Sequence, residues 1–85
     1  MPENWVIELE EIFDQRIIKI GERLKELRIK AGYPSYEHFA WDNKLSRRGY
    51  WALEKGTNFT IKTLLKVLDI HKMSLKEFFS SVENK

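Results

Sequence analysis

Arg47 and Arg48 are adjacent, and Trp51 and Ala52 follow them three to five residues on. In a helix these four lie away from the side that carries Tyr50 and Leu53. A guanidinium is a planar fork of donors. It fits the O6 and N7 acceptors of guanine, or two oxygens of a phosphate. Trp51 can pack on a sugar or a thymine methyl, the alternative being packing in the core or between two copies. Tyr36, Lys44, Ser46, Lys55, Thr57 and Asn58 surround this group in sequence. They fall at helix ends and in loops, where backbone phosphates are normally held. A solvated surface is the plain alternative for each.

The other chemistries fare worse. His38 and His71 lie far apart and lack the spacing of metal ligands, and there is no Cys to join them. No Ser–His–Asp order and no glycine-rich phosphate loop is present. No metal, cofactor or catalytic activity is expected. The chain carries a formal charge of +2 that conceals an asymmetry. Residues 1–17 set five acids against Arg16, a net −4; residues 18–85 set fourteen bases against eight acids, a net +6. A basic body with an acidic extension suits a domain that faces phosphate and points its extension away. Without Cys, a reducing compartment is compatible. No apolar run is long enough to cross a bilayer, and the N-terminus is unlike a signal peptide. A cytoplasmic protein is the expectation.

The groups around Arg47 need two short helices to position them, within residues 35–56. Ser35 caps the first, and Phe39 and Ala40 give it an inward face. Asp42, Asn43 and Lys44 form a polar break, and Leu45 plugs the end of the turn. Ser46 caps the second helix, Tyr50 and Leu53 face inward, and Gly56 ends it. A short helix packed on another, with two arginines in its first exposed turn, suits insertion into a DNA major groove.

Before this pair, apolar residues recur at steps of three or four from Val6 through Leu9, Phe13, Ile17, Ile20, Leu24 and Leu27 to Ala31. The spacing predicts one helical stripe, weakest at Gly21, where the chain is expected to bend. Arg23, Lys25, Arg28 and Lys30 decorate its outside, and Gly32 and Pro34 stop it. After the pair, Thr60 caps a helix with Ile61, Leu64, Leu65 and Leu68 inward. Ser74 and Glu77 form a capping box on a last short helix, with Leu75, Phe78 and Phe79 inward. Residues from 80 on read as a polar tail. No stretch alternates with period two. Eighty-five residues make one small domain, which oligomerisation would help stabilise.

The run I-G-E-R-L-K-E-L-R, then S-x-E-x-F-A, L-S, L-E-K-G, T-L-L-K-V-L and S-L-K-E-F-F resembles the helix–turn–helix family of phage repressors and Cro, the XRE family, across residues 20–79. The resemblance implies an all-α, five-helix domain whose second and third helices read DNA, usually as a dimer that regulates transcription. It places Ala40 where the two helices cross. Phe39, Leu45, Tyr50 and Leu53 fall on core positions, and Glu54 and Gly56 at the end of the third helix. The resemblance puts base contacts on Arg47, Arg48 and Ala52 and a phosphate contact on Tyr36; by position alone Trp51 joins the first set, and Lys44, Ser46, Lys55, Thr57 and Asn58 the second. The family's glutamine at the head of helix two is Tyr36 here. Its turn glycine is Lys44, so either Lys44 or Asn43 has to adopt a left-handed backbone. Gly49, Trp51 and Ala52 depart from the usual polar reading face.

The resulting division is an extension at 1–17, a helix–turn–helix domain at 18–80 and a tail at 81–85. Trp5, Leu9, Ile12, Phe13 and Ile17 in the extension are expected to pair two copies into a homodimer, the alternative being a sixth helix folded back on its own domain. The expected function is sequence-specific binding of double-stranded DNA. The alternative is an interaction or antitoxin-type module with a protein partner and little base readout.

Overall fold

The computed structural model describes residues 14–57 and 59–83. They form five helices: α1 Gln15–Lys30, α2 Tyr36–Asp42, α3 Arg47–Lys55, α4 Ile61–Ile70 and α5 Leu75–Glu83, with no strand among the described residues. The all-α, five-helix expectation holds. Trp5, Leu9, Ile12, Phe13 and Asn58 lie outside the described residues.

Local capping explains where the helices begin. The hydroxyls of Ser35, Ser46 and Thr60 accept from the backbone N–H of His38, Gly49 and Thr63 at 3.3, 3.2 and 3.2 Å. At Ser74 the exchange is reciprocal. Its hydroxyl accepts from Glu77 N–H at 3.1 Å, and the Glu77 carboxylate accepts from Ser74 N–H at 3.3 Å. Such a cap stabilises a helix by about 1 kcal/mol. α1 starts at Asp14, whose carboxylate accepts from Arg16 N–H at 2.9 Å. Asp14 is not helical (ψ 123°), so the stripe running from Val6 to Ala31 is interrupted here, and Ile17 belongs to the first turn of α1. The Arg16 guanidinium also clasps the Asp14 carboxyl and holds it down at about 2.

The first four helices end alike. After each, a residue with positive φ lets the next N–H reach back to a carbonyl five residues earlier. The reversing residues are Gly32, Lys44, Gly56 and Lys72. At the α2–α3 turn Lys44 takes the left-handed backbone (φ 56°) and Leu45 N–H donates to Ala40 O at 2.8 Å. Asn43 stays at φ −101° and its amide donates to Phe39 O at 2.9 Å.

The core gathers Leu24, Phe39, Ala40, Tyr50, Leu53, Leu64, Val67, Leu68, Phe78 and Val82. Phe39 is its aromatic hub, 4.9 Å from Tyr50 and stacked 5.4 Å from His71 between ring centroids. α1 lies along α3, with α5 and α2 on its other sides, and α3 also rests on α2 and α4.

Three helices, α1, α4 and α5, differ in their inward faces from the sequence expectation. Gly21 is no bend. It lies inside α1, where a Cβ would come within 2.5 Å of the carbonyl oxygens of Leu53 and Glu54. α1 and α3 therefore touch backbone to backbone. Arg28 does not decorate the outside; it is buried with Gly21 and Leu24 on the face towards α3. In α4, Leu64, Val67 and Leu68 point inward while Ile61 and Leu65 are exposed. In α5, Phe78 and Val82 are buried while Leu75 and Phe79 are exposed, and the helix continues to Glu83 where a polar tail was expected.

Candidate nucleic-acid interface

The far end of α3 is fixed from inside. Arg28 Nε donates to Glu54 Oε2 at 2.7 Å, Nη2 donates to Oε1 at 3.1 Å, and Nη1 donates to Tyr33 O at 2.6 Å. The side chains are only 4% and 7% exposed. The Tyr50 hydroxyl is buried beside this pair without a hydrogen bond of good geometry. Burial first, then the Glu54 carboxylate, pushes its phenol far above the ordinary range. α3 is thereby held by a charge pair at its C-terminal end, by Tyr50 and Leu53 along its inner side, and by the Gly21 contact.

The N-terminal end of α3 faces outward. Ser46 accepts from Gly49 N–H, which leaves its own hydroxyl proton free for another acceptor. Arg47 and Arg48, the next two residues, are both exposed. Arg48 has no hydrogen bond or ion pair among the described residues. Arg47 Nη1 donates to Glu37 Oε2 at 3.0 Å, from the first turn of α2. Tyr36, Arg47, Arg48 and Trp51 together line one shallow depression between α2 and α3. The geometry joins two guanidinium forks, a phenol and an indole edge on one surface.

A second depression continues past Trp51 and Tyr36. It is lined also by Pro34, Ser35, Lys55 and, from α1, Glu22 and Lys25. Lys25 thus stands on the same side as Lys55, a neighbour that only the α1–α3 packing reveals. Lys44 is exposed in the turn. Ala52 is half-buried and offers only a methyl; its carbonyl accepts from Thr57 N–H at 3.1 Å and from the Thr57 hydroxyl at 3.2 Å. Thr57 therefore spends both its N–H and its hydroxyl proton on ending α3, which leaves it no donor to offer a phosphate. Of the sequence-predicted set, Tyr36, Arg47, Arg48 and Trp51 line one depression, Lys55 lines the next, and Ser46 caps the helix that carries the arginines.

This fold has a solved counterpart. A crystal structure of a point mutant of the restriction-modification controller protein C.Esp1396I is similar to this chain, with a TM-score of 0.66, 24% sequence identity, and coverage of 81% of this chain and 87% of that one. The likeness is one of fold. No family model and no curated protein matches the chain.

Two further features are independent of that likeness. Trp41, on the outer face of α2, is 83% exposed and borders a hollow with Glu37, His38, Ala40, Leu45 and Arg47. Among the described residues there is no group of three or more His, Asp or Glu able to hold a metal ion, and no helix long and apolar enough to cross a membrane.

Proposed function

We propose that this protein is a regulator of transcription that binds double-stranded DNA sequence-specifically, as a homodimer, with α3 in the major groove. The observation that carries the reading is the exposed pair Arg47 and Arg48 in the first turn of a helix whose opposite side is fixed in the core. Arg48 is free to fork onto a guanine edge, and Arg47 does so by leaving Glu37. Trp51 packs against sugar or a thymine methyl. The Tyr36 and Ser46 hydroxyls and the Lys44 and Lys55 ammoniums hold phosphates on either side and set the register. The solved structure of similar fold belongs to a restriction-modification controller, which supports this class of function. Two-fold pairing would set two such helices about one turn of DNA apart, roughly 34 Å.

Selection from a random duplex library tests the proposal. A recovered palindrome supports it; no enrichment at low salt overturns it. That second outcome favours a protein-interaction module, for which Trp41, almost fully exposed on α2, is the motivating feature.

A further inference from the structure

A groove lies beside the point where the described chain begins. Arg16, Lys19 and Ile20 of α1 line one wall, and Phe79, Val82 and Glu83 of α5 the other. Its floor is apolar. Ile20 packs on the core, Val82 is buried, and Phe79 remains 37% exposed although it sits against Phe78. Its rim carries Arg16 and Lys19 against Glu83, with Arg16 shared with Asp14.

The thirteen residues that precede Asp14 complement this groove in both respects. They hold Glu3, Glu8, Glu10 and Glu11 and no Lys, Arg or His. Trp5, Leu9 and Phe13 recur every four residues, with Ile12 beside the last. Asp14 caps the start of α1 with a non-helical backbone, two residues before Arg16 of the groove wall. We propose that residues 1–13 cover the α1–α5 groove of their own chain, apolar stripe on Ile20, Phe79 and Val82, glutamates towards Lys19 and Arg16, so that the two-fold pairing of the proposed regulator uses a surface other than Trp5, Leu9, Ile12 and Phe13. A second copy's segment must meet the association cost in full. The chain's own segment is joined two residues from the groove wall and acts at the high effective concentration of a short tether. None of the groove's residues lines the depressions around α3, so this covering leaves the Arg47–Arg48 edge open.

The chain has no cysteine, so Glu10→Cys in the full-length protein gives a unique thiol for a nitroxide label. In the ¹⁵N-labelled chain, the amide signals of Lys19, Ile20, Phe79 and Val82 should lose most of their intensity and regain it on reducing the nitroxide. Those of Arg48 and Ala52 should not change. In a mixture of ¹⁵N-labelled chains without nitroxide and unlabelled chains with it, no loss is expected. Adding Leu9→Asp to the spin-labelled chain should restore the groove signals while shifts elsewhere in the domain stay put. The proposal is overturned by intact groove signals in the first sample, by a loss of equal size in the mixture (the segment of a second copy), or by a loss that survives Leu9→Asp.

Discussion

Two arginine–glutamate pairs touch α3, one at each end, and they share chemistry but little else. Arg28 and Glu54 meet in two hydrogen bonds with side chains 4% and 7% exposed. Arg47 and Glu37 meet in one, with side chains 71% and 54% exposed. Water cannot replace a lost partner in the first pair, so each charge requires the other. In the second, water and salt compete throughout, and the pair contributes about 0–1 kcal/mol. The same two side chains therefore act as a fixture at one end and as an exchangeable contact at the other. An arginine meant to bind something else has to be of the second kind.

The largest test removes the fixture. Arg28→Met leaves the Glu54 carboxylate buried alone and should cost about 3–5 kcal/mol in denaturant unfolding. A loss under about 1 kcal/mol would mean that Gly21 and the core hold α3 without the pair. At the other end, Arg47→Ala or Arg48→Ala should lower affinity for the selected duplex by about 1–3 kcal/mol per lost bidentate base contact, with an unchanged thermal midpoint. Wild-type affinity in both variants would remove α3 as the reading helix. Lys55→Ala should instead weaken binding to all sequences alike and lower the salt slope by about 1.

Glu37→Gln separates the ends further. It should change stability by no more than about 1 kcal/mol and tighten DNA binding, because Arg47 no longer exchanges one carboxylate for another acceptor. Weaker binding would show that Glu37 positions Arg47 rather than competing for it.

The smallest effect is at His71, whose buried Nε2 has no partner among the described residues. Burial lowers its imidazole from the ordinary 6.5. The unfolded chain then takes up a proton more readily, so this contribution to stability is complete above pH 6.5 and declines as the pH falls towards the folded value. The thermal midpoint should fall on acidification below that pH, and less so in His71→Gln. An equal fall in both would assign the effect to other groups.

Sequence made visible what is decided within a few residues. Ser35, Ser46, Thr60 and the Ser74–Glu77 box cap the helices they were expected to cap, and Gly56 ends α3 with φ 70°. Asp14 is a cap of the ordinary type too, but it stood inside an apolar stripe whose period continued across it. α4 misled because Ile61, Leu64, Leu65, Val67 and Leu68 spread around much of the helix, so two inward faces fit the pattern equally well. Arg28 had a signal that charge concealed: with Gly21 and Leu24 it keeps the three- and four-residue steps of one face. Glu37 and Arg47 are ten residues apart on different helices, and no local rule joins them. For the candidate site, sequence located the arginines and the capping serine. The contributions of Lys25 and Glu37 arise only from packing.

Gly21 has a consequence for how such a surface can change over generations. What would collide with any larger residue there is main chain, the carbonyl groups of Leu53 and Glu54, and main chain has no rotamer to give way. The pose of α3 is consequently set by the thickness of two peptide backbones and not by the identity of its outward side chains. Arg47 and Arg48 can be exchanged for other residues while the helix keeps its angle to the rest of the molecule. One scaffold can then carry many different surfaces on α3, on condition that a single position on another helix never acquires a side chain.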